Sequence, residues 1–189
     1  MIEIEVTNHQ SHMTLETARL EAAVQAVLED AATAAAAVSV AVVDDATIRQ
    51  LNSRYLKHDG PTDVLSFVLQ QSPDRLEGEV VVSAERALAV APQFGWAPAE
   101  ELLLYVIHGA LHLVGYDDGT RFGRAAMRRR ERACLARFGV EARFRRQPDP
   151  RRGKKGDKSN LCEAPSGPLR GKLDLSLFSS LGHEDEEVP

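Results

Sequence analysis

From Pro98 to Val114 the chain reads PAEELLLYVIHGALHLV, which is apolar nearly all the way round a helical wheel. A helix with one apolar stripe lies on a surface, whereas one apolar on every side must be covered on every side. This segment is therefore expected at the centre of a domain, with the remaining elements arranged around it. Pro98 suits the first helical position, and Glu100 and Glu101 suit the positive N-terminal end. Gly115 can adopt the left-handed conformation that stops the helix. Only two residues with polar side chains interrupt its second half, His108 and His112.

The flanking sequence supplies the cover. Ile2, Ile4 and Val6 alternate with polar residues at the period of a half-buried strand, and Val38 to Val43 is a second β-rich run. Between them Thr14 is expected to cap a helix with Glu16 in its first turn and Leu20, Ala23, Val24 and Val27 at helical spacing. Asp44 or Asp45 can cap a helix carrying Ile48, Leu51 and Tyr55. The chain then turns around His58 to Thr62, with Gly60-Pro61 as punctuation. Val64 to Leu69 and Glu79 to Val82 read as neighbouring strands joined by a polar loop. Ser83 opens a helix that Gly95 ends. A last helix, from about Arg121 to Phe138, is expected to turn Phe122, Met127, Leu135 and Phe138 inward and many arginines outward.

Two histidines four apart project from one helical face, so His108 and His112 can aim ring nitrogens at one point about 2 Å from each. Buried imidazoles left unpaired on an apolar helix cost desolvation energy. The bend after Gly115 can bring Asp117 or Asp118 beneath them as a third ligand. Two histidines and a carboxylate with an open fourth position form a catalytic rather than a structural zinc arrangement, and such an ion lowers the pKa of its water. Peptidases with a His-Glu-x-x-His helix use the Glu as general base, and here that position is Gly109. The peptidase reading therefore lacks its base.

Charge is unevenly placed. Residues 121–146 carry ten Lys and Arg against two Asp and Glu, although the whole chain has a net charge of −5. A basic stripe on an acidic body can still meet a phosphate backbone. The two cysteines, Cys134 and Cys162, have no metal or redox spacing and read as reduced thiols. The start lacks a basic segment followed by an apolar one, and no apolar run approaches the roughly 20 residues of a membrane span. A cytoplasmic protein without membrane contact is expected. After about Gln147 the composition shifts to Pro, Gly, Ser, Lys and Asp, so the expected division is a domain over 1–146 and a disordered tail over 147–189.

Three blocks carry a resemblance. HGALHLVGYDD, from His108 to Asp118, is similar to the HGxLHLxGYDH signature of the YbeY-type endoribonucleases. Leu51 to Leu69, LNSRYLKHDGPTDVLSFVL, resembles the family's LNxxYRxxxxPTDVLSFxF block, and LEGEVVVS, from Leu76 to Ser83, resembles its LGDIVIS strand. The resemblance implies a compact α+β domain, a mixed sheet of about four strands packed with about five helices, and a zincin-like central helix carrying the ligands of one Zn2+. It further implies cleavage of single-stranded RNA in maturation of the 16S rRNA 3′ end and in ribosome quality control. Single-stranded RNA, the rRNA precursor and the small ribosomal subunit or ribosome are then the expected partners.

Carried onto this chain, the metal and catalytic residues are His108, His112 and Asp118, the last standing where the family has a third His. A carboxylate in place of an imidazole makes the metal site less positive. The family's Arg in the LNxxYR block, which contacts RNA phosphate, is Leu56 here, and leucine makes no such contact. Lys57 and His58, or Arg121 and Arg124, are the candidates to replace it. Glu79 falls at the acidic position of the strand block and is a further catalytic candidate. Tyr116 and Asp117 are expected to support the ligand loop. Whether water or the RNA's own 2′-hydroxyl attacks stays open. So do two other classes: a non-catalytic assembly factor that keeps a structural metal, and a metallohydrolase of another substrate.

Overall fold

The computed structural model describes residues 1–57, 59, 60 and 62–143, together with the backbone of 169 and 170. The expectations for His58, for Pro61, for Cys162 and for most of the tail lie outside these residues. In chain order the elements are β1 (Ile2–Asn8), α1 (Thr17–Asp30), β2 (Ala36–Val43), α2 (Asp45–Leu56), β3 (Val64–Gln71) and β4 (Leu76–Ser83), then α3 (Ala84–Phe94), α4 (Pro98–Leu113), α5 (Arg121–Arg137) and β5 (Leu169–Arg170).

The sheet order is β1-β2-β4-β3-β5. β1, β2 and β4 run parallel, with Val40 opposite both Val6 and Val80. β3 returns antiparallel to β4 as a hairpin closed by Ser72 N donating to Arg75 O at 2.8 Å. This makes an α+β domain of the expected kind, four strands and five helices, to which the two residues of β5 add a short parallel edge beside Phe67 and Val68.

Strand alternation sends Val38, Val40, Gly78, Val80 and Val82 to one face, which α1, α3, α4 and α5 cover in one continuous core. The opposite face holds a smaller cluster, in which Ile48 and Leu51 of α2 pack on Val43, Leu65, Phe67 and Val81. α4 is buried as its all-round apolarity requires, with Leu103, Val106 and Ile107 fully covered. It also lies unusually close to the sheet. A Cβ on Gly109 would overlap Val80 Cγ1 and stand 3.0 Å from Val64 Cγ2 and 3.1 Å from Ser66 Oγ. Ser66 Oγ donates to the Gly109 carbonyl at 3.1 Å, fastening helix to strand where they touch.

Several caps are where the sequence puts them: Asp44 accepts from Thr47 N, Ser83 accepts from Arg86 N, and Gly95 has φ +66°. Two expectations are corrected. α1 begins at Thr17 after Glu16, with no side-chain cap, rather than after Thr14. The reason is local: Gln10 brackets Met13, accepting from its N and donating to its O, both at 2.9 Å, and so holds that segment as a loop. Phe122 is 87% exposed rather than inward. The buried stripe of α5 is Met127, Glu131, Cys134 and Leu135, and a residue five positions before Met127 falls well off it.

Candidate metal centre and its cleft

α4 presents His108 and His112 one turn apart, and their rings meet edge to face with centroids 4.6 Å apart. Each ring is fixed through Nδ1. His112 Nδ1 donates to the Tyr116 carbonyl at 2.9 Å, and His108 Nδ1 lies 2.7 Å from Glu131 Oε1. A carbonyl and a carboxylate are acceptors, so Nδ1 of each ring carries a proton and each Nε2 is turned inward. Those two Nε2 atoms are 3.0 Å apart. With neither Nε2 protonated, the two lone pairs repel at that distance unless something positive stands between them.

Gly115, with φ +94°, bends the chain after α4, and Gly115 N and Tyr116 N bond back to His112 O and Leu111 O at 3.0 Å. The reversal brings Asp118 Oδ1 to 4.0 Å from His112 Nε2. One ligand atom from each of His108, His112 and Asp118 lies within 4.8 Å of the others. Ligand atoms of a tetrahedral ion bound at about 2.0–2.1 Å stand roughly 3.3–3.4 Å apart, so side-chain adjustments alone would seat one. A shared proton would satisfy the two histidines but leave Asp118 outside; a cation takes all three. The donor set thus fits a divalent metal, nitrogen-rich with one oxygen, and does not by itself name which.

Electrostatics follow this arrangement. Burial pushes the His108 pKa down, but the hydrogen bond and charge of Glu131, with Asp63 and Asp118 adding to them, carry it above the ordinary 6.5. Burial, and then the charge of His108, lowers that of His112. His108 and Asp118 open onto a cleft of about 220 Å³, with His112 buried behind them, whose wall also includes Glu131, Asp63 and, from α5, Arg124 and Arg128. Tyr105 and Glu101, one and two turns up α4 from His108, also line it, and burial raises the pKa of both. A larger hollow of about 370 Å³ lies among Glu3, Glu5, Ser39 and Glu77. It has no imidazole and no cation, so size is a poor guide to the chemistry here.

Tyr116 supports the centre twice: its carbonyl holds His112, and its hydroxyl accepts from Arg130 Nε at 2.7 Å. Asp117 accepts from Gly119 N at 3.0 Å and so shapes the ligand loop. Arg124 Nη1 donates to Asp118 O at 2.8 Å and Gly119 O at 3.3 Å, tying that loop to α5 while facing the cleft. Arg121 is exposed at the start of α5.

Other candidates sit elsewhere. Gly78 and Val80 face α4, so alternation sends Glu79 between them to the opposite face, beside Phe67 across the hairpin. The sheet separates it from the histidines. Lys57 is the left-handed C-cap of α2, and Leu56 packs on the second cluster; neither lines the cleft. The arginines of α5 divide as well, because Arg130 is committed to Tyr116 and Arg137 to Glu29 and Asp30. Glu131 is the residue that sequence reasoning missed. Within a run of arginines it reads as a surface ion-pair partner, and only its place four residues after Met127 and before Leu135 hints that it turns inward.

An α+β domain whose buried central helix and following bend converge two imidazoles and a carboxylate beside an open cleft is built as a candidate metal-binding protein. The family model described as endoribonuclease YbeY matches residues 5–139. A Rhodopirellula baltica protein named endoribonuclease YbeY is 48% identical over 137 residues, 67% of this chain and 68% of that one. A Syntrophotalea carbinolica protein of the same name is 35% identical over 145 residues, 73% of this chain and 97% of that one. A solution structure from Thermotoga maritima aligns with TM-score 0.46 and 24% identity, over 74% of this chain and 92% of that one. The chain belongs to the endoribonuclease YbeY family.

Proposed function

We propose that this protein is a metal-dependent endoribonuclease that cuts phosphodiester bonds of single-stranded RNA, holding one Zn2+ at His108, His112 and Asp118. Its substrate in this reading is the rRNA precursor of the small ribosomal subunit, in 16S 3′-end maturation and ribosome quality control, and its place is the cytoplasm. Among the described residues no helix is long and apolar enough to cross a membrane. The observation that carries the reading is the convergence of two inward Nε2 atoms and Asp118 on one point beside an open cleft. The family match supports RNA as the substrate class.

When bound, the cation supplies a Lewis acid for a phosphoryl oxygen and a more acidic water. The chain's own residues do the rest. Tyr116 O and Glu131 hold the two rings in one tautomer. Arg124 and Arg128, on the wall beside Asp118, are placed to bind the non-bridging oxygens of the phosphate, taking over from the arginine that Leu56 does not supply. The narrow packing at Gly109 leaves no room for a peptidase-type base on α4.

The test is cleavage of a labelled single-stranded RNA by protein of measured metal content, beside His112→Ala and a chelator-treated sample. Cleavage in the parent and its loss in both controls is expected. A cyclic 2′,3′-phosphate end would report attack by the RNA's 2′-hydroxyl, and a linear end attack by water. The position of Leu56, packed away from the cleft, favours one second reading: an assembly factor that binds RNA without cutting it. Metal-loaded parent that binds RNA and leaves it intact would establish that reading instead. Residues 1–146 form the active domain in this proposal, so truncation after Gln147 should leave cleavage in place.

A further inference from the structure

Glu131 is the sole acidic residue of α5, whose other charged residues are arginines, and yet it is buried, with 4% of its surface exposed. It sits on the core stripe between Met127 and Leu135, where an apolar side chain would cost nothing to desolvate and a carboxylate is expensive. Its Oε1 is 2.7 Å from His108 Nδ1, whereas the equivalent nitrogen of His112 meets a neutral carbonyl. The two rings are therefore held unequally, one by a charge and one by a dipole.

We propose that Glu131 is a positioning residue that sets the metal affinity of the site. By accepting the Nδ1 proton of His108 it fixes which nitrogen faces the cleft, and its negative charge makes that nitrogen the stronger donor of the pair. The inference rests on the metal reading given above. It also accounts for a carboxylate kept where packing alone would select leucine or methionine.

The experiment compares the full-length parent, Glu131→Gln and Glu131→Leu, each stripped of metal, in calorimetric titrations with Zn2+ and in thermal unfolding without metal. Leucine should weaken Zn2+ binding by roughly 10–100-fold, the usual cost of losing such a partner. Glutamine keeps an acceptor but not the charge and should fall several-fold short of the parent. The metal-free Leu variant should melt below the parent, because the Nδ1–H of His108 is left without its acceptor, so the Zn2+ titration is the reading that decides. A residue that only packs would also lower that temperature but leave the titration unchanged. Binding within twofold of the parent in both variants would overturn the proposal. If leucine prevents folding, the difference between glutamine and the parent decides alone. A parent that takes up no divalent cation would overturn this inference and the metal reading together, whereas equal uptake by all three overturns this inference only.

Discussion

Gly109→Ala tests whether the contact of α4 with the sheet holds the metal centre in place. On an exposed helix the change would stabilise by up to about 1 kcal/mol, since alanine is the better helix former. Here the new methyl would overlap Val80 Cγ1 and crowd Val64 Cγ2 and Ser66 Oγ, all on strands fixed by the ladder. Overpacking of this kind costs typically 1–3 kcal/mol. Crowding wins on balance, and a net loss of about 1–2 kcal/mol corresponds to a melting point lower by roughly 2–8 °C for a domain of this size. The helix can relieve the overlap only by moving away from β4, which carries His108 and His112 with it and stretches the 3.1 Å bond from Ser66 to Gly109 O. Metal-free protein followed by circular dichroism gives the stability, and Zn2+ titration gives the site. A variant that melts at or above the parent's temperature, with unchanged metal binding, would show that the close approach does not position the ligands.

Further outcomes follow from the cleft. Asp118→His should leave the fold intact and raise RNA cleavage several-fold by restoring the more positive site; activity below the parent's would count against Asp118 as a ligand. Metal uptake should release protons and tighten as pH rises. The His108 pKa is raised above 6.5, so its pairing with Glu131 stabilises the metal-free fold fully below that value and is lost as pH climbs through the raised one. His112, lowered, contributes in the opposite sense, favouring the fold above 6.5 and losing that contribution as pH falls through its depressed value. Calorimetry in buffers of different ionisation enthalpy would detect the released protons, and pH-independent affinity would contradict the assignment. Arg128→Ala should reduce the salt dependence of RNA binding by about one phosphate contact. Arg124→Ala should reduce that dependence and also weaken metal binding, because its Nη1 holds the carbonyls of Asp118 and Gly119. RNA titrations across salt concentrations, with a Zn2+ titration of each variant, measure these effects.

Much of this site was legible because it is local in sequence. The i, i+4 pair His108 and His112, the left-handed Gly115 and the following carboxylates lie within one helical turn and one bend, so their convergence needs no knowledge of the fold. α4 announced its central place by being apolar all round. What escaped notice depends on elements far apart in the chain. Glu131 reaches His108 only because α5 docks on α4, and Glu79 leaves the site only because strand parity turns it to the face that α2 covers. Phe122 misled because one aromatic at a helix start carries no periodic signal, and its exposure is decided by where Met127 points.

A carboxylate at Asp118 rather than a third imidazole makes the proposed metal site less positive and changes what the cleft must do elsewhere. Around the site stand Asp118, Glu131 and Asp63, three carboxylates close enough to His108 to raise its pKa. A divalent ion set among them leaves little positive charge to draw a phosphodiester in. Two cationic side chains on the same wall, Arg124 and Arg128, offset this deficit, and both come from the helix that also supplies Glu131. If that compensation operates, the parent's RNA binding should depend on Arg128 more steeply than that of Asp118→His, in which the ion recovers a unit of charge. A double-mutant cycle between the two positions measures this directly. Equal effects of Arg128→Ala in both backgrounds would mean that arginine and metal act on the phosphate independently.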